Sequence, residues 1–131
     1  MQRTFELASR PEAIAPALDT IETGLGEVGV AQELALELRL ISEEVITNVV
    51  KYAEAGSIRI DFKVTDVTVV LEVRDNGKSF DPLSTAAPEL EASIEDRPLG
   101  GLGIHLVKAL ADEVSYQRRD GWNVLRLTRN R

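Results

Sequence analysis

Glu44-Val45-Ile46-Thr47-Asn48 and Asp75-Asn76-Gly77-Lys78-Ser79-Phe80-Asp81, followed by Gly100-Gly101-Leu102-Gly103, are the stretches whose reading decides the fold. The first lies inside a helical pattern over about 31–54, where Leu34, Leu38, Ile41, Val45, Val49 and Tyr52 form one apolar stripe. The second closes a strand, and the third opens another helix. A carboxylate and an amide one helical turn apart, a strand-end Asp-x-Gly and a glycine-rich helix entry can together hold a nucleotide, its metal ion and an attacking hydroxyl. Each piece alone is weak; their order and separation carry the signal.

Working outward, residues 57–64 and 67–74 alternate apolar and polar, with Ile58, Ile60, Phe62 and Val64 on one strand and Val67, Val69, Leu71 and Val73 on the next. Thr65-Asp66 is the expected tight turn between them. Upstream, residues 2–8 read as a strand carrying Phe5 and Leu7. A helix follows from Pro11 to about Gly26, with Ser9 as candidate cap and Gly24, Gly26 and Gly29 marking its end. Downstream, residues 76–100 form a loop of a length usually tied to function. A helix resumes near Leu102, and strands near 113–119 and 122–129 turn at Asp120-Gly121. The order β-α-α-β-β-loop-α-β-β predicts an α+β sandwich with helices on one face of a sheet.

Composition bounds the function. A chain of 131 residues with 44% hydrophobic residues is one domain able to bury a core. The net charge of -7 argues against a nucleic-acid surface, which needs clustered Lys and Arg. With no cysteine there is neither disulfide nor thiolate chemistry, which fits a cytoplasmic protein. Met1–Arg10 lacks the apolar run of a signal peptide, and no stretch approaches the 18 apolar residues of a membrane span.

Glu44 and Asn48 share one side of their helix, and Asn48 falls beside the apolar stripe. A buried amide left unpaired costs about 1–3 kcal/mol, so it needs a partner. Mg²⁺, which takes oxygen ligands and bridges phosphates, is one; the backbone is the other. Glu44 is placed to accept a hydroxyl proton, or is a plain surface carboxylate. Asp75 has the inward parity of Val69, Leu71 and Val73 and so demands a donor. An adenine 6-amino group fits, with Gly77 letting a flat ring approach the backbone. The alternative, an Asp-Asn-Gly hairpin turn, is weakened because no alternating strand follows. Gly100, Gly101 and Gly103 offer free amides and a positive dipole end to phosphate, or are an ordinary helix entry. Lys51, Lys78 and Arg97 are candidate phosphate contacts or surface cations. His105, the sole histidine, has no zinc-binding company. Trp122 reads as packing.

Together these residues resemble the GHKL superfamily of gyrase, Hsp90, histidine kinases and MutL, and within it the small bacterial anti-sigma factor serine/threonine kinases. The resemblance spans nearly the whole chain. It rests on Ser42-Glu43-Glu44-Val45-Ile46-Thr47-Asn48-Val49-Val50-Lys51-Tyr52-Ala53, on Asp75-Asn76-Gly77 with Phe80-Asp81, and on Gly101-Leu102-Gly103. It implies a Bergerat-type ATP-binding sandwich, helices on one face of a mixed β-sheet, in a single domain over 1–131. It further implies Asn48 as Mg²⁺ ligand, Glu44 as general base, Asp75 at adenine and 78–100 as the ATP lid. Lys51, Gly77, Phe80, Arg97, Gly100, Gly101, Leu102, Gly103 and Asn123 complete the implied ATP site. Implied partners are a sigma factor, a small STAS-type anti-sigma-factor antagonist as substrate, and a second copy of the chain. Two departures stand out. Arg97-Pro98-Leu99-Gly100 sets the basic lid residue further from the glycines than in some members. The last hairpin reads Gly121-Trp122-Asn123-Val124, where related proteins often have Thr near adenine.

Two functions follow: a Mg·ATP-dependent protein serine/threonine kinase, or an ATP-gated binding module without transfer. The catalytic piece of a histidine kinase is disfavoured, because the chain lacks a helical hairpin bearing a phosphoacceptor histidine.

Overall fold

The computed structural model describes residues 1–84 and 101–131, with the backbone alone at 84, 101 and 102. Arg97 and Gly100 therefore lie outside the described residues, as does most of the lid segment. Strand β1 (Gln2–Ala8) leads through a short 3-10 turn at Pro11–Ala13 into α1 (Ile14–Glu27) and α2 (Gln32–Asn48). Helix α2 runs on into a π-helical turn, Val49–Ala53. Strands β2 (Ser57–Val64) and β3 (Thr68–Asp75), helix α3 (Gly101–Leu110) and strands β4 (Glu113–Arg119) and β5 (Trp122–Asn130) follow.

The sheet order is β1-β2-β3-β5-β4. All four neighbouring pairs are antiparallel, which corrects the expectation of a mixed sheet. The physical reason lies in the last hairpin. The β3–α3–β4 crossover returns the chain parallel to β3, but β5 folds back between them and pairs antiparallel with both.

Alternation along the strands builds the core. Ile58, Ile60, Phe62 and Val64 of β2 are buried beside Val69, Leu71 and Val73 of β3 and Leu125 and Leu127 of β5. The helices bring Leu18, Ile21 and Leu25 from α1, Leu38, Ile41, Val45 and Ile46 from α2, and Val107 from α3. Each such side chain stabilises the fold by about 1.5–3 kcal/mol when fully buried. The other sheet face carries Arg59, Asp61, Lys63, Glu72, Arg74 and Arg126. Helices thus cover one face, as the strand alternation predicts.

Local details differ from the sequence reading. Val67 belongs to the turn and is 68% exposed; its parity is lost because the Thr65 N–H and Thr68 carbonyl already close the loop. Ser9 is not a cap: Arg10 holds that position, with no side-chain cap bond. Gly24 lies inside α1 rather than at its end, where a Cβ would come within 2.7 Å of the Phe62 ring. Gly24 is there to let α1 approach the sheet, and Gly29, at φ 79°, makes the turn.

Candidate functional site

Helix α2 delivers the first two groups. Asn48, on its last turn, is 4% exposed, and its Oδ1 has no hydrogen-bond partner among the described residues. Glu44, one turn earlier and half-buried, sets its carboxylate against the first turn of α3. A Cβ on Gly103 would overlap that carboxylate, so the glycine makes the room Glu44 occupies. Burial pushes the Glu44 pKa up, repulsion from Glu43 adds to it, and Lys51 opposes both. A carboxylate raised in this way is a better proton acceptor near neutral pH.

The widened turn after Asn48 ties this helix to the end of β3. Ala53 at its end gives its carbonyl to the Lys78 N–H at 2.8 Å. Gly77 is pressed onto the same Ala53 carbonyl, where no side chain fits. Asn76 accepts from the Gly56 and Ser57 N–H groups at 3.0 and 3.1 Å, pinning the turn to the start of β2. A π-type turn at a functional site is a recurrent device.

Asp75 is 2% exposed on the inward face that its parity predicts. Its Oδ1 accepts from the Gly77 N–H and from Asn123 Nδ2, each at 2.9 Å. Burial raises its pKa; the bonds from Asn123 and Gly77 and the charge of Arg118 pull the other way. The aromatic edge is formed by Phe80 and Tyr52, ring centres 5.6 Å apart. Asp81 accepts the Leu83 N–H at 2.9 Å, and Lys108 of α3 donates to the Leu83 carbonyl at 2.9 Å.

Val45, Asn48, Val49, Val73, Asp75, Phe80, Pro82, Tyr116, Asn123 and Leu125 line a small cavity of about 10 Å³. That is room for about one water.

The structure thus brings Glu44, Asn48, Asp75, Gly77, Phe80, Gly103 and Asn123 together. Gly101 and Leu102 lie in the first turn of α3. Lys51 is exposed. Lys78 lies 3.6 Å from Glu54, both well exposed, so the pair contributes little. His105 faces solvent. Sequence reasoning missed Tyr116 and Arg118, which meet Asn123 from β4. Their signal was available: Arg118 is the cross-strand partner of Asn123 in the last hairpin, a cation at inward parity.

The donor set suits Mg²⁺. Among the described residues there is no cluster of three or more His, Cys, Asp or Glu that could hold a metal. What exists is one buried amide oxygen without a partner among the described residues, on a side chain that lines the same cavity as Asp75. Mg²⁺ accepts such sparse protein ligation when phosphates and waters supply the rest.

A family model for a histidine kinase-like ATPase domain matches residues 7–129. The serine/threonine-protein kinase BtrW of Bordetella bronchiseptica is 36% identical over 99 residues, spanning 72% of this chain and 70% of that protein. The serine-protein kinase RsbW of Listeria innocua is 29% identical over 131 residues, spanning 93% and 83%. Among solved structures, the RsbU and RsbW domains of a Mycobacterium tuberculosis protein superpose with TM-score 0.70 at 17% identity, covering 100% of this chain. The chain spans 33% of that solved chain, and the likeness speaks to fold alone. The chain belongs to the histidine kinase-like ATPase (GHKL) family. Within it, the chain is a protein serine/threonine kinase of the group that BtrW and RsbW represent.

Proposed function

We propose that this kinase uses Mg·ATP to phosphorylate a serine or threonine of a small STAS-type anti-sigma-factor antagonist, and that it sequesters a sigma factor when the antagonist is absent. The observation that carries the reading is the buried, unpartnered Asn48 Oδ1 one helical turn from the Glu44 carboxylate at the mouth of α3. Bound Mg²⁺ would supply charge neutralisation for the phosphates. Asn48 Oδ1 would hold it. Glu44 takes the proton of the attacking hydroxyl; the new bond joins that oxygen to the γ-phosphorus. The bond from the γ-phosphorus to the β–γ bridging oxygen breaks, and ADP leaves. Such transfer depends on positioning and electrostatics more than on covalent chemistry.

Asp75 takes the adenine amino group, Gly77 and Phe80 border the ring, and Gly100–Gly103 with Lys51 and Arg97 serve the phosphates. Residues 1–131 act as one domain, 78–100 closes as the lid, the protein works in the cytoplasm, and it pairs with a second copy. No helix among the described residues is long and apolar enough to cross a membrane.

A second reading is an ATP-gated binding module without transfer. The position of Arg97, three residues before Gly100, motivates it. The test is transfer of labelled γ-phosphate from Mg·ATP onto a protein that co-purifies with the chain. Label on a small partner, lost in Glu44→Gln, supports the kinase reading. Nucleotide-dependent capture with no label in the wild type favours the module.

A further inference from the structure

The carboxamide of Asn123 is the most heavily bonded side chain around the site. Nδ2 gives one hydrogen to Asp75 Oδ1 at 2.9 Å and the other to the Lys78 carbonyl at 2.8 Å. An amide nitrogen carries two hydrogens, so none is left for a ligand. Oδ1 accepts from the Phe80 N–H at 3.2 Å, from Tyr116 Oη at 2.5 Å and from Arg118 Nη1 at 3.1 Å. Arg118 Nη1 also donates to the Gly77 carbonyl at 2.8 Å. Asn123 itself is 3% exposed.

These bonds have two ends. One is Asp75, where both hydrogen bonds fall on Oδ1. That leaves Oδ2 for the N–H of a base and fixes the rotation of the carboxylate. The other is the chain leaving β3: Lys78 and Phe80 are both held by the same amide, and Phe80 with Pro82 lines the cavity beside Asp75.

We infer that Asn123 is a positioning residue, a clasp that orients Asp75 toward the adenine amino group and at the same time latches the chain leaving β3, at Lys78 and Phe80, to the sheet. It does not touch the base. Arg118 and Tyr116 hold the clasp from the edge strand β4. Asp75 and the Lys78–Phe80 segment thus share one side chain as their anchor. The inference rests on Asp75 as the adenine acceptor.

The test has two arms. In the nucleotide-free protein, amide exchange at Lys78–Leu83 reads the latch. Binding of ATP against inosine triphosphate, which has a carbonyl in place of the 6-amine, reads the orientation of Asp75. Asn123→Ala should speed exchange of the Phe80 amide. It should also weaken ATP by about tenfold or more, the scale of one lost bond to a charged group, while inosine triphosphate changes little. Asn123→Thr restores one hydroxyl donor for Asp75 but no carbonyl for Phe80. It should recover the preference for ATP and leave exchange fast, a split that a merely structural residue would not give. Equal loss of both nucleotides in Asn123→Ala would overturn the orienting role, and unchanged Phe80 exchange would overturn the latch. Should Asn123→Ala fail to fold, Arg118→Ala at an exposed position is the second probe: faster Phe80 exchange is expected, and unchanged exchange again overturns the latch. A wild type that binds both nucleotides alike sinks the adenine reading of Asp75, and the exchange arm still decides the latch without nucleotide.

Discussion

Asp75 and Asn48 are both polar, both inward-facing and both nearly free of solvent contact, yet the protein treats them in opposite ways. Asp75 is met by a backbone N–H and an amide N–H, with the charge of Arg118 nearby. Asn48 keeps an oxygen with no partner among the described residues. A buried polar group in that state costs about 1–3 kcal/mol, which a folded protein tolerates only where something repays it. The two ends of the site are therefore prepared differently. The Asp75 end, proposed for adenine, is satisfied by the protein's own donors, while the Asn48 end, proposed for the metal and phosphates, keeps an oxygen with no partner among the described residues. Glycines repeat the contrast. Gly77 yields to fixed backbone at Ala53, whereas Gly103 yields to the movable tip of Glu44.

The sharpest way to break this comparison is at Glu44. Glu44→Gln should keep ATP affinity and lower phosphoryl transfer by about 10²–10⁴, the usual contribution of a general base. Unaltered single-turnover transfer would remove Glu44 from the chemistry. Gly103→Ala comes next. Its Cβ meets no backbone but only the Glu44 side chain, from Cγ outward, which can turn aside, so thermal stability should hold. Transfer should fall by about 10², the scale of a catalytic group misplaced by about an ångström. Loss of stability with no loss of rate would mean that the glycine serves packing rather than Glu44.

At the phosphate end itself, Asn48→Ala should weaken Mg·ATP by about tenfold, as loss of a metal-orienting group does, and metal-free ATP much less. Calorimetry with and without Mg²⁺ separates the two, and an equal loss would count against a ligand role. Asn48→Leu probes the same residue without nucleotide. Replacing the orphaned amide by an apolar side chain of similar size should stabilise the protein by about 1 kcal/mol, a rise of a few degrees in Tm. A fall instead would show that Asn48 is satisfied in the free protein and that the contrast with Asp75 is false.

Much of this was legible in the sequence, for reasons that differ by residue. Period-2 alternation through β2 and β3 placed Asp75 on the inner face, and the 3.6-residue stripe of α2 placed Asn48 beside the core. The order of elements followed from turn residues. What local pattern could not show was contact across the sheet. Sheet order is set by which hairpin inserts where, so the antiparallel neighbour of β3 was invisible. The same insertion brings Asn123 to Asp75, and with it Tyr116 and Arg118. Gly24 read as a helix stop because the Phe62 ring that requires it lies 38 positions away (62 − 24). Gly103 read as a phosphate cradle because its contact with Glu44 joins two helices.

The smallest effect expected concerns the acid limb of the transfer rate. Glu44 must be ionised to accept a proton, so the rate rises with pH through its pKa, and burial followed by Glu43 holds that pKa above the ordinary glutamate value. Glu43→Gln removes the repulsion and leaves the burial. The Glu44 pKa should drop, and the limb should move to lower pH, only slightly because Glu43 is exposed and solvent screens it. Lys51→Ala removes the opposing charge and should move the limb the other way. Shifts of the same sign in both variants would show that another group sets the limb, and the phosphate end would lose its assigned base.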